Sequence, residues 1–101
     1  MAEAVILEFE GVGIEEYERV NGILGIDMRS GEGDWPQGLL VHSAAVKPGG
    51  FVVYELWASK ADQESFMAER LGQALQEGGI AGPPARLEWL EPAAHHDRQG
   101  S

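Results

Sequence analysis

Cysteine is absent from the 101-residue chain, which excludes disulfide staples, thiolate metal sites and a cysteine nucleophile. Basic residues are scarce: 7 Lys and Arg stand against 17 Asp and Glu, for a formal net charge of −10. A surface of that sign repels phosphate backbones and anionic lipid, so neither nucleic acid nor a membrane surface is an expected partner. Long apolar runs are missing too, none approaching the ~20 residues that span a bilayer. The start, Met1-Ala2-Glu3-Ala4, lacks the basic residues and apolar stretch of a secretory signal. Together these absences lead to the expectation of a soluble cytoplasmic protein. The length leaves room for one domain, and a core that small gains stability from tight packing or from self-association.

What is present is ordered. Residues 4–9 (AVILEF) are β-rich and end before Gly11 and Gly13, as a first strand would. Ile14, Tyr17, Val20 and Leu24 recur at helical spacing with Glu15, Glu16 and Glu18 outside, and Gly25 supplies a stop. Residues 26–37 show no period and read as a long loop. Two extended runs, 38–46 and 51–58, flank Lys47-Pro48-Gly49-Gly50, a hairpin whose type II turn places Gly49 at positive φ. Ser59 then caps a second helix that carries Phe66, Met67, Leu71, Ala74 and Leu75 and stops at Gly78-Gly79. After Gly82-Pro83-Pro84 a last strand runs over 85–91. The chain is thus expected to form an α+β domain over 1–92, followed by a flexible polar tail over 93–101.

The order β-α-β-β-α-β is that of the ferredoxin-like fold, a four-stranded antiparallel sheet with both helices on one face. Continuing the hairpin register outward pairs Val46 with Phe51, Ala44 with Val53, His42 with Glu55 and Leu40 with Trp57, and alternation puts these on one face. The other face holds Leu39, Val41, Ser43, Ala45, Val52, Tyr54 and Leu56. Being continuously apolar or small, this second set is expected under the helices with Val5, Leu7 and Phe9. The set with His42, Glu55 and Trp57, joined by Ile6 and Glu8, is then expected on the uncovered face. A second copy would cover that face, enclosing a ligand-sized barrel between two sheets.

Gly38-Leu39-Leu40-Val41-His42, Val53-Tyr54-Glu55-Leu56-Trp57-Ala58-Ser59 and Phe66-Met67-Ala68-Glu69-Arg70-Leu71 carry a resemblance. Over roughly 5–92 the chain resembles the dimeric α+β barrel superfamily, in particular small bacterial proteins grouped with the antibiotic biosynthesis monooxygenases. The resemblance implies a homodimer and a hydrophobic or aromatic ligand. Cofactor-free oxygenases, haem-degrading enzymes, cyclases and isomerases all occur in the superfamily. Its quinone-forming members have an asparagine four residues before the strand tryptophan and a tyrosine six after it. Here those positions hold Val53 and Gln63, and Trp57 alone matches. The haem-degrading members use a histidine well along the second helix, where this chain has none.

The sharpest chemical feature is His42 opposite Glu55. A carboxylate on one imidazole nitrogen fixes the tautomer and raises the basicity of the other, as a general base requires. Such a base serves a cofactor-independent monooxygenase, cyclase or isomerase acting on an aromatic or polyketide-like molecule; the same pair can instead simply satisfy itself on a sheet face or at a dimer interface. Trp57, Leu40, Val53, Ala44, Glu8 and Ile6 are the expected ligand-binding wall, although Trp57 serves a dimer interface equally well. Tyr17 could reach a ligand through its hydroxyl but its helical spacing reads first as core, and Trp35 could lid the pocket but reads first as an anchor of its loop. A three-ligand metal site of His42, Glu55 and Glu8 needs all three to converge, and His95-His96 define no geometry. No metal and no cofactor are therefore expected. A non-catalytic binder and a structural dimer with a filled barrel remain open beside the enzyme.

Overall fold

The computed structural model describes residues 2–28, 30–80 and 84–94. The Gly82-Pro83 turn, most of the expected tail and His95-His96 lie outside them. In chain order the elements are β1 (Glu3–Glu10), α1 (Ile14–Leu24), β2 (Ile26–Asp27), β3 (Glu32–Gly33), β4 (Leu39–Lys47), β5 (Gly50–Trp57), α2 (Lys60–Phe66), a π-helical turn (Met67–Leu71), α3 (Gly72–Glu77) and β6 (Arg86–Leu90). The main sheet has four antiparallel strands in the order β4-β5-β1-β6, the ferredoxin-like arrangement. The loop over 26–37 is not wholly irregular, because β2 and β3 pair within it as a two-stranded ladder.

Local chemistry accounts for the boundaries. The Glu16 carboxylate accepts from the Gly13 amide at 2.8 Å to start α1, and Gly25 ends it at φ +79°. Ser59 Oγ accepts from the Asp62 amide at 3.2 Å to start α2. Gly49 sits at φ +78°, as the hairpin turn demands. The hairpin register agrees with the sequence from Lys47–Gly50 through Val46–Phe51 and Ala44–Val53 to His42–Glu55. It then breaks. A bulge lets Val41 pair with Leu56 and Leu39 with Trp57, so Leu40 does not meet Trp57 and lies 57 % exposed.

The two faces of the hairpin are the reverse of those expected. Phe51, Val53 and Trp57 lie under the helices, packed with Val5, Leu7, Phe9, Val20, Leu24, Phe66 and Leu75. Trp57 is fully buried and Phe51 is 2 % exposed. Alternation distinguishes two faces without saying which points inward, and the large aromatics decide it through the area they remove from water. Burying Glu55 on that side is tolerable because it is paired.

The opposite face carries Ile6, Glu8, Val41, Val52 and Tyr54 by the strand registers. Glu8 lies there between Lys47, at 2.8 Å, and Arg86, at 2.6 Å. Hydrogen bonds from these two cations hold its carboxyl below the usual carboxylate range. Among the described residues no helix is long and apolar enough to cross a membrane.

Candidate functional site

The reversed face moves the site. His42 and Glu55 open not onto a space between two sheets but into a cavity inside one chain, between the sheet and its helices. The cavity measures about 60 Å³ and is walled chiefly by apolar side chains such as Leu7, Phe9, Val53 and Phe66. Its polar atoms come from Tyr17, Asn21, His42 and Glu55, with Trp35 and Pro36 along one side. A few convergent polar groups in an apolar hollow is the usual form of a small-molecule site.

The polar groups form one chain. The Trp57 indole N–H donates to Glu55 Oε1 at 3.0 Å. The other carboxylate oxygen lies 2.8 Å from His42 Nδ1. His42 Nε2 lies 2.6 Å from the Tyr17 hydroxyl. As a carboxylate, Glu55 has only lone pairs to offer, so Nδ1 carries hydrogen toward it and Nε2 of the neutral ring is left to accept from Tyr17. Two flanking elements hold the imidazole: the Tyr17 ring lies parallel to it within 8° and the Trp35 ring centroid is 6.0 Å away. Tyr17 also packs on Phe51 with ring centroids 4.7 Å apart. Burial raises the Tyr17 hydroxyl above its ordinary value; a hydrogen bond from Asn21 opposes this and the Glu55 charge reinforces it.

The expected ligand wall divides accordingly. Val53 lines the cavity. Ala44 packs against the core behind it, and Trp57 is committed to Glu55 and to Phe66, 5.8 Å between ring centroids. Ile6 and Glu8 alternate to the other face of the sheet, and Leu40 is carried outward by the bulge. The convergence of Glu8 with His42 and Glu55 is thereby ruled out, and among the described residues no three His, Cys, Asp or Glu side chains gather for a metal.

Two residues that read as structural belong to the cavity instead. Tyr17 does sit on the inner face of α1, but only the fold reveals that this face crosses His42; the helical period alone carried no such signal. Trp35 anchors its loop through an indole hydrogen bond to the Gly31 carbonyl at 2.9 Å and walls the cavity as well. Arg70, from the π-helical turn, pins that loop down. Its guanidinium donates to the Leu24 carbonyl at 2.9 Å and the Asp34 carbonyl at 2.8 Å, and lies 3.2 Å from the Asp34 carboxylate.

No protein-family profile matches the chain and no curated protein sequence does. Solved structures do match in fold. One is a provisionally assigned antibiotic biosynthesis monooxygenase from Chloroflexus aurantiacus, with a TM-score of 0.65 and 14 % identity over 96 % of this chain and 98 % of that one. Another is SnoaB, a cofactor-independent oxygenase from Streptomyces nogalater, with a TM-score of 0.63 and 9 % identity over 93 % and 95 % of the two chains. A third is the monooxygenase of the ActVA-Orf6 gene of Streptomyces coelicolor in complex with nanaomycin D. Its TM-score is 0.56, with 21 % identity over 94 % of this chain and 89 % of that one. The chain therefore shares the α+β fold of antibiotic biosynthesis monooxygenase-like proteins, and at these identities the likeness is one of fold.

Proposed function

We propose that the cavity binds a small hydrophobic, hydroxylated aromatic molecule and that the His42–Glu55 pair takes up a proton from it. The observation that carries this reading is a part-buried imidazole, its side chain 13 % exposed, whose Nδ1 is held by a carboxylate at 2.8 Å on the wall of an otherwise apolar hollow. Glu55 fixes the tautomer, so the basic nitrogen is Nε2, and stabilises the imidazolium once the proton arrives. Trp57 Nε1 holds the second carboxylate oxygen and so keeps Glu55 from turning away.

A deprotonated electron-rich aromatic is the species that reacts with molecular oxygen without a bound redox group. A cofactor-independent oxygenase is accordingly the first reaction class to test, and the fold likeness to SnoaB supports that order of testing. The open sheet face with Ile6, Val52 and Tyr54 is the surface through which we expect two copies to associate.

The test is oxygen uptake with a dihydroxynaphthalene under air and no added cofactor. The wild type consumes oxygen, and His42→Gln loses on the order of 10²–10⁴ in rate, the usual worth of a positioned base. Equal rates in the two proteins refute the assignment. Recovery of the naphthol unchanged from a complex with the wild type identifies a binder instead of an enzyme.

A further inference from the structure

Both ring nitrogens of His42 are occupied: Nδ1 by Glu55 at 2.8 Å and Nε2 by the Tyr17 hydroxyl at 2.6 Å. A molecule in the cavity therefore finds no free imidazole lone pair. It finds the Tyr17 oxygen, which gives its single hydrogen to Nε2 and keeps lone pairs to spare. We infer that Tyr17 is the residue that meets the ligand, and that it passes the ligand's proton to His42. This rests on the reading of the His42–Glu55 pair as a base, and it changes which atom of the site touches the substrate.

The step balances as a two-proton relay. The ligand O–H bond breaks and its proton forms a bond to the Tyr17 oxygen, while the original Tyr17 proton moves to His42 Nε2. The products are the ligand anion, a neutral tyrosine, an imidazolium and the unchanged Glu55 carboxylate. Asn21 lies one helical turn beyond Tyr17 and lines the same cavity, so an amide stands near the negative charge that gathers there in transit. The Tyr17 ring packs on Phe51 and its hydroxyl points at the end of an imidazole that is coplanar with it within 8°, which keeps donor and acceptor in line.

The relay also narrows the ligand chemistry. Protons pass readily between oxygen and nitrogen along an existing hydrogen-bonded chain. A carbon acid makes no such bond to the tyrosine oxygen. The acidic group is thus a phenolic or enolic hydroxyl.

4-Nitrophenol is a suitable probe, because its anion is yellow and reports ionisation without turnover. Bound to the wild type, it ionises with a midpoint at least about one pH unit below that of the free dye, a tenfold or greater shift. His42→Gln abolishes the shift. Tyr17→Phe keeps the ring and removes only the hydroxyl, so the dye binds there and stays protonated. A second readout leaves the chain unmutated. The sequence has 2 tyrosines, so 3-fluorotyrosine labelling gives two fluorine resonances, assigned with Tyr54→Phe. The Tyr17 resonance moves as the dye ionises and that of Tyr54 does not. A still Tyr17 resonance, or full ionisation in Tyr17→Phe beside loss in His42→Gln, overturns the relay while sparing His42 as the base. Failure of the wild type to bind or ionise the dye overturns both.

Discussion

Replacing Glu55 by glutamine removes one charge and almost no volume, and the chain of donors states what must follow. Trp57 Nε1 can only donate and is fully buried, so the new amide must present its oxygen to the indole and its NH2 to His42. The imidazole then has to accept at Nδ1 and carry its hydrogen on Nε2, which reverses the bond to Tyr17. Every group keeps a partner. The loss is the difference between charge-assisted and neutral hydrogen bonds, roughly 1 kcal/mol each, set against relief from burying a carboxylate. Net stability should stay within about 1 kcal/mol of the wild type.

His42→Leu behaves differently. It leaves a carboxylate that is 5 % exposed with Trp57 as its remaining hydrogen-bond partner, and stranding a buried charge costs about 3–5 kcal/mol. For a domain whose total stability is on the order of 5–15 kcal/mol the two variants are easily separated by urea unfolding followed through tryptophan fluorescence. Nitrogen NMR of the His42 ring reports the tautomer directly. Unfolding of Glu55→Gln and His42→Leu at the same urea concentration refutes this role for Glu55. An Nε2 that remains unprotonated in Glu55→Gln refutes it equally.

Two further outcomes follow from the same geometry. Burial raises the Tyr17 hydroxyl above its ordinary value of 10.0, so its contribution is fully present below that unfolded value and is lost as pH rises through the higher folded one. Unfolding titrations across that alkaline range should therefore show a loss of stability in the wild type that is weaker in Tyr17→Phe; equal slopes contradict it. Arg70→Gln removes the ties to Leu24 and Asp34, so stability should fall by roughly 1–2 kcal/mol, with the fold retained. Association of 2-naphthol in a stopped-flow experiment should quicken by roughly tenfold, the effect of about 1.4 kcal/mol on opening the loop, and an unchanged rate refutes the role given to Arg70.

Much of this was legible in the sequence, though not all. Pro48-Gly49 set the hairpin turn, and counting outward from it brings His42 opposite Glu55. Counting failed two steps later because a bulge inserts a residue without altering composition, and Leu40 looks like any other strand leucine. The choice of inner face failed for another reason. His42 and Glu55 look too polar for a core when scored singly, yet they are compatible with one as a pair that shares hydrogen bonds with Trp57 and Tyr17. Tyr17 was placed correctly on the inner face of its helix, but what that face meets is a tertiary fact. The pairing of β2 with β3, two residues each, is too short to leave a periodic trace.

The π-helical turn has a kinetic consequence. A cavity of about 60 Å³ is smaller than the ~150 Å³ engineered hollow that accepts one benzene, so a ring seats fully inside only when a wall shifts. The wall on the Trp35–Pro36 side is tied from outside by the guanidinium of Arg70, beside the backbone bond from the Asp34 amide to the Gly25 carbonyl. Capture is then a two-step process in which opening precedes contact, and its rate has a ceiling that ligand concentration cannot lift. Below that ceiling the apparent affinity is diluted by the fraction of molecules standing open.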